Sequence, residues 1–198
     1  MQLLVRNEIK ASLANDDEDS LFIDPLLEED QVGAVTIDLR LGYDFLVSVL
    51  TRKPFVAIYR ENDYRSISSY FQNTRRELGD RFVLYPNQVV LTTTLEYLSL
   101  PSDVYADIMT RSSYNRLGIS ISTMLQPGFR GCAPIELFNH GNNAVELVVG
   151  SRMFQARLTR LDAKARYLDG RPRKYYGDVR PTVSRASHDK DLDRLYKA

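Results

Sequence analysis

Three segments of this chain carry side chains whose types and spacing could do chemistry. The first is Met109–Gly118 (MTRSSYNRLG), where Ser112 and Ser113 sit between Arg111 and Arg116. Hydroxyls, turn amides and guanidinium groups are donors, and converging donors without a competing acceptor are what a polyphosphate requires. The same residues also read as a solvated turn in which Ser112 or Ser113 caps a short helix. The second segment is Gln126-Pro127-Gly128-Phe129-Arg130-Gly131, followed by Cys132–Asn139 (CAPIELFN). Two glycines around an aromatic let this turn bring its backbone close to a ligand. In the strand that follows, Ala133, Ile135 and Leu137 share one face, and Pro134, Glu136 and Phe138 the other. A carboxyl flanked by Pro and Phe is expected to be partly desolvated, which raises its pKa and suits proton transfer. A surface glutamate on a half-exposed strand is the competing reading. Pro134 cannot donate to a ladder, so this strand has an edge or a bulge where a ligand could approach. The third segment, Tyr167–Asp178, interleaves basic and aromatic residues. Arms that fold over nucleotides or single strands look like this, and so do disordered basic termini.

The elements that must position these groups are mostly strands. Leu3–Asn15 has the spacing of a short amphipathic helix, with Leu3, Leu4, Ile9 and Leu13 in its apolar stripe, closed by the acidic turn 15–19. Beyond it the period changes to two. Val35–Leu41 alternates strictly, Gly42 interrupts, and Tyr43–Leu50 continues as a mostly apolar strand. Residues 60–80 are polar and read as an excursion with one helix. From Arg81 short strands follow one another: FVLYP, QVVLTTT, EYLSLP, VYADIMT, GISISTML, CAPIELF, AVELVV and RMFQARLT. Many short strands at regular intervals indicate an all-β sandwich or barrel and not a parallel α/β sheet. No repeat and no low-complexity linker divides the chain, so residues 1–198 read as one domain, with the polar stretch from Ala163 as an arm.

Composition narrows the chemistry. With 198 residues, 43% hydrophobic and 26% charged, the chain can bury a core. No apolar run reaches the ~20 residues of a membrane helix, and the first residues lack the apolar core of a secretory signal. The single cysteine, Cys132, excludes an intramolecular disulfide and suits a reducing cytoplasm. With Cys132, His140 and His188 as the only soft ligands, one chain cannot assemble a Cys/His zinc site, so hydrolysis must proceed without zinc-activated water. The net charge of zero hides an asymmetry. Residues 1–150 hold 13 basic and 20 acidic side chains, a net of −7, whereas residues 151–198 hold 13 and 6, a net of +7. The basic quarter can be neutralised by the rest of the chain, by a phosphorylated small molecule or by nucleic acid. Nucleic acid is the weakest reading, because no recognised binding motif accompanies the charge.

Together these residues resemble the dCTP deaminase family, within the wider group that also holds the trimeric dUTPases. RSSYNRLG is similar to the family's R-S-S-x-x-R-x-G, and PGFRGCAPIELFN to its P-G-(F/W)-x-G-x-x-x-x-E-x-x-N. IDPLLEEDQVGAVTIDLRLGYDF, YPNQVVLTTTLEYLSLPSDVYADIMTRSS and KYYGDVRPTVSR extend the likeness over most of the chain outside residues 50–80. The resemblance implies a distorted β-barrel of the β-clip kind behind a short N-terminal helix. It further implies a homotrimer with sites between subunits, and an arm, residues 163–198, folded over the nucleotide. Family members convert dCTP to dUTP and ammonia with Mg²⁺ bound to the triphosphate, without zinc or protein metal ligands, and with dTTP as a candidate inhibitor. Carried over by position, Glu136 is the general base, and Ser112 and Arg116 orient the water. Arg111 and Ser113 meet phosphates, joined by Tyr167 and Lys174, and the backbone of Pro134, Ile135 and Glu136 reads the cytosine edge.

The chain also departs from the family pattern. Between Gly118 and Pro127 it is a few residues shorter and lacks a Thr-Ala-containing stretch. Gln126 stands where an Asp binds the sugar hydroxyl, and Asp178 where a tail Gln approaches the nucleotide. The glycine-rich C-terminal motif of the dUTPases is absent, which argues against a plain dUTPase. Three expectations follow: a dCTP deaminase, a deaminase that also splits dUTP to dUMP, or a nucleotide-binding regulatory relative without turnover.

Overall fold

Residues that alternate in the sequence alternate in burial. In β3 (Ile37–Arg40) Ile37 and Leu39 are fully buried while Asp38 and Arg40 are half-exposed, and in β8 (Val104–Thr110) Val104, Ala106, Ile108 and Thr110 point inward. The computed structural model describes residues 1–52, 55, 56, 58, 67–165 and 174–195. One sheet runs β1 (Gln2–Leu3), β13 (Arg152–Arg160), β8 and β10 (Thr123–Leu125), with β3 also on β13. The other runs β5 (Phe71–Arg75), β4 (Asp44–Ser48), β7 (Val89–Ser99), β11 (Arg130–Asn139) and β9 (Ile119–Ser120), with β2 (Phe22–Asp24) also on β7. β6 (Arg81–Leu84) and β12 (Val145–Val148) form a ribbon, and every pairing is antiparallel. The mainly β class and the short N-terminal helix agree with expectation; among the described residues the sheets do not close into a barrel. An apolar cluster fills the space between them, with Phe45 stacked on Phe82 at 4.2 Å.

Several boundaries differ from the sequence reading, each because a tertiary partner outweighs local pattern. The expected helix Leu3–Asn15 is α1, Arg6–Leu13, because Gln2 and Leu3 pair with β13 and the Leu4 amide donates to Leu158 O at 3.0 Å. Glu8 accepts from the Val5 amide at 3.0 Å and closes the N-terminus of α1. In the expected excursion 60–80, residues 60–66 lie outside the described residues. Ile67–Tyr70 forms a 3₁₀ turn and β5 is a strand, where a helix was expected. QVVLTTT and EYLSLP are one strand, β7, and GISISTML is two, β9 and β10, in different sheets. Past Ala163 the described residues include a short helix, α3 (Lys190–Leu195), that no periodicity announced.

Candidate active site

The site is organised by an irregularity in the β7–β11 pair. Cys132 faces Tyr97 and Pro134 faces Thr93, so two steps along β11 match four along β7. Pro134, which has no amide to donate, stands at this bulge, as its residue type required. The extra β7 residues are held by side chains: Thr94 Oγ1 accepts the Ala133 amide at 2.9 Å and donates to Glu96 O at 2.8 Å. Along the far edge of β11, β9 pairs with Phe138 and Asn139, and the arm pairs near the other end. There Gly177 N donates to Arg130 O at 2.8 Å and Cys132 N to Asp178 O at 3.0 Å. Gly131, at φ +140, permits this approach, since a Cβ there would lie 2.7 Å from Asp178 O. Between these two pairings lies Pro134–Glu136.

Here β11 presents the alternation read from its sequence, with Ala133, Ile135 and Leu137 in the core and Glu136 on the opposite face. A cavity of about 350 Å³ opens beside Glu136, walled by Phe71, by Val89, Leu91 and Thr92 of β7, by Pro134–Glu136, and by Tyr175, Pro181, Thr182 and Ser184 of the arm. In the single chain the Glu136 side chain as a whole remains accessible, yet the surrounding protein strips water from its carboxyl and pushes its pKa up. A hydrogen bond from Thr123 and one from its own backbone oppose that rise. Thr123 Oγ1 lies 3.0 Å from Pro134 O and 3.3 Å from Glu136 Oε2. A partly desolvated carboxyl with a hydroxyl neighbour is suited to taking up and returning a proton.

The phosphate-type segment folds as expected in kind and differs in detail. α2 spans Ser112–Asn115, and Arg111, not a serine, occupies the N-cap without a side-chain capping bond. Ser112, Ser113 and Arg116 are exposed and, among the described residues, make no side-chain hydrogen bond or ion pair. None of them lines the Glu136 cavity. Arg111 is turned toward the body of the sheet, 3.2 Å from Arg152 O and 3.7 Å from Asp38. Gln126 is exposed at the turn whose Phe129 amide donates to Gln126 O at 3.0 Å. Tyr167 lies outside the described residues. Lys174 is ion-paired with Asp189, and the Asp178 carboxylate accepts from Thr182 and Arg185 at 3.2 and 3.4 Å. Asp178, expected at a nucleotide, therefore ties the arm to itself. The basic arm finds part of its neutralisation in the chain: Lys164 meets Asp19 at 2.8 Å and Arg180 meets Asp44 at 3.5 Å.

Two residues around the site were passed over in the sequence. Thr123 gives no local signal for its role, because its partners lie eleven and thirteen residues on. Glu96 has one: it continues the inward row Val90, Thr92, Thr94 and Leu98. It is fully buried, accepting the Arg40 amide at 2.9 and 3.1 Å and Gln31 Nε2 at 3.3 Å, and burial pushes its pKa up to about 7. Burial, and to a lesser extent the neighbouring Glu96, raise the Cys132 thiol to about 11, which keeps it in the thiol form near neutral pH.

Comparison with known proteins resolves the family. The model of the dCTP deaminase-like family matches residues 3–161. The chain belongs to that family. A Methanobrevibacter smithii protein named dCTP deaminase, dUMP-forming, is 32% identical over 98% of this chain and 100% of its own. A Natronomonas pharaonis protein named dCTP deaminase is 34% identical over 89% of this chain and 92% of its own. The crystal structure of 2′-deoxycytidine 5′-triphosphate deaminase from Agrobacterium tumefaciens superposes with a TM-score of 0.59 at 24% identity. It covers 79% of this chain and 47% of that one, so the chain spans about half the length of that protein and shares its fold. The bulge, Glu136 and the RSSYNRLG turn all fall inside the matched region, whereas the arm lies beyond it. Among the described residues no helix is long and apolar enough to cross a membrane.

Proposed function

We propose that this protein is a hydrolytic deaminase that converts the cytosine of dCTP to uracil with release of ammonia, and that Glu136 is its general base. The observation that carries this reading is the placement of Glu136 at a break in the β11 edge, beside a cavity, with its carboxyl pKa raised by desolvation. Water attacks C4 of the cytosine ring as Glu136 takes one of its protons. The carboxyl then returns that proton to the departing amine while the second water proton passes to ring N3, so that dCTP and water become dUTP and ammonia. Free water is a very weak acid, and a carboxylate held close to it lowers the barrier through orientation and proton transfer together. The backbone of Pro134–Glu136 lies along the open edge, where a pyrimidine edge can be read.

Ser112 and Arg116, proposed to hold the water and the charge developing on the ring, do not share the Glu136 cavity. The reading therefore assigns them to the neighbouring copy in a trimer, together with Arg111 and Ser113 at the phosphates. Gln126 at the sugar and Lys174 from the arm complete the proposed contacts. The Mg²⁺ of the proposal is carried by the triphosphate, whose charge it neutralises.

One observation favours a second step. Archaeal relatives aligned over nearly the whole chain are named dUMP-forming, which supports hydrolysis of the triphosphate to dUMP and diphosphate as a companion activity. Chromatography after incubation with Mg²⁺ and dCTP, CTP, dCMP or dUTP tests both readings. Uracil product from dCTP is expected, and its absence from every cytosine nucleotide refutes deamination. dUMP from dCTP establishes the second step, and dUTP as end product excludes it.

A further inference from the structure

We infer that Thr123 is a positioning residue whose hydroxyl holds the Glu136 carboxyl in both of its protonation states. The inference rests on the reading of Glu136 as proton carrier. Thr123 Oγ1 reaches from β10, a strand of one sheet, to β11 of the other, and has two acceptors within range: Pro134 O at 3.0 Å and Glu136 Oε2 at 3.3 Å. A hydroxyl has one proton to donate and lone pairs to accept with, and it rotates to suit. While Glu136 is ionised, the hydroxyl donates to Oε2. Once Glu136 has taken a proton from water, its O–H donates to Oγ1, and the threonine proton turns to the Pro134 carbonyl. That carbonyl stands at the bulge, in a strand where the residue itself offers no amide. No atom of Thr123 gains or loses a proton. One side chain thus keeps the carboxyl in place while its polarity reverses, which a pure donor or a pure acceptor could not do.

The groups around the carboxyl leave this role to Thr123. β5 and β7 line the cavity with uncharged side chains only, Phe71, Val89, Leu91 and Thr92. Among the described residues the arm contributes one titratable group to the cavity wall, Tyr175, whose ring carries the Arg185 guanidinium at 5.4 Å, with Asp178 paired to that arginine at 3.4 Å. Along this face of β11 the nearest titratable side chains are Cys132, whose thiol burial pushes up to about 11, and, just past the strand's end, His140, edge-on to Phe138 and held by Ser120 at 2.7 Å. Among the described residues Thr123 is the side chain that hydrogen-bonds Glu136.

The test uses the full-length protein with Thr123→Val and Thr123→Ser, and Thr123→Ala as a second hydroxyl-free variant should the valine chain not fold. Two quantities are followed: the pH profile of kcat/KM on dCTP, and the Glu136 carboxyl titration by ¹³C NMR without nucleotide. The hydrogen bond from Thr123 favours the ionised carboxyl, so Thr123→Val moves both titrations to higher pH and lowers kcat by roughly tenfold or more. Thr123→Ser restores them. Unshifted titrations in Thr123→Val, or a shift that Thr123→Ser does not reverse, overturn the inference. Glu136→Gln separates this failure from that of the parent reading. If Glu136→Gln keeps its turnover, Glu136 is not the base. If it is inactive while Thr123→Val behaves as wild type, only the role of Thr123 falls.

Discussion

Replacing Glu96 by Gln should remove a pH dependence of stability that the native chain carries in its core. The Glu96 carboxyl is fully buried, 2.9 Å from the Arg40 amide, and burial lifts its pKa from an ordinary 4.5 to about 7. The folded state therefore holds this proton more tightly than the unfolded chain. The corresponding stability is complete below pH 4.5 and is lost as pH rises through about 7, where a bare carboxylate must be kept in the core. At about 1.4 kcal/mol per pH unit the gap amounts to about 3 kcal/mol. Glu96→Gln keeps the shape and an acceptor for the Arg40 amide but has no proton to lose. Urea unfolding followed by circular dichroism, at one protein concentration because assembly adds its own stability, gives the free energy at each pH. Between pH 4.5 and 7 the difference between Glu96→Gln and wild type should move in favour of the variant by about 3 kcal/mol, then level off. Parallel curves over that window would mean that Glu96 is ionised throughout and that Arg40 and Gln31 fully compensate its burial.

Other perturbations address the site and the arm. Glu136→Gln should lower turnover of dCTP by ~10²-fold or more while leaving nucleotide binding in place, as seen by calorimetry; near-native turnover would make the strand carboxylate structural. Gly131→Ala brings a Cβ to 2.7 Å from Asp178 O at a φ that side chains rarely adopt. It should loosen the arm, which hydrogen exchange reports as faster exchange at the Cys132 amide; unchanged protection refutes the docking geometry. Lys174→Ala should raise KM for dCTP more than it lowers kcat. Asp189→Ala, which removes the carboxylate competing with phosphate for Lys174, should lower KM by no more than about fivefold. A higher KM in Asp189→Ala would show that the ion pair orders the arm for binding. Gln126→Asp should sharpen discrimination of dCTP against CTP, because a charged acceptor binds a sugar hydroxyl more strongly than an amide does; wild-type rejection of CTP by ~10³-fold removes the reason for that expectation.

Local pattern reached a long way into this protein. The period-two rows of β3, β8 and β11 named their own core faces. Pro134 announced an interruption in its ladder, and the Pro–x–Glu–x–Phe spacing put Glu136 on the face opposite the core. Both effects are carried by a residue and its immediate neighbours, through side-chain alternation and a missing amide. What only the tertiary structure decided is where each face finds its partner. Leu3 and Leu4 read as part of one apolar helical stripe with Ile9, yet β13, some 155 residues further on, pairs Leu3 as strand and accepts the Leu4 amide. GISISTML reads as one strand and is divided between two sheets, since which edge is free at β8 and at β11 depends on the rest of the fold. Lys174 carries a charge a nucleotide arm needs and Asp178 stands at a position expected near the nucleotide, and Asp189, Thr182 and Arg185 engage them within the arm. Thr123 and Glu96 have ordinary local surroundings, and their chemistry arises from Pro134, Glu136, Arg40 and Gln31, brought to them by packing. Periodicity records which way a side chain points; what it then touches is set by chain segments remote in sequence, whose approach depends on burial of the whole core.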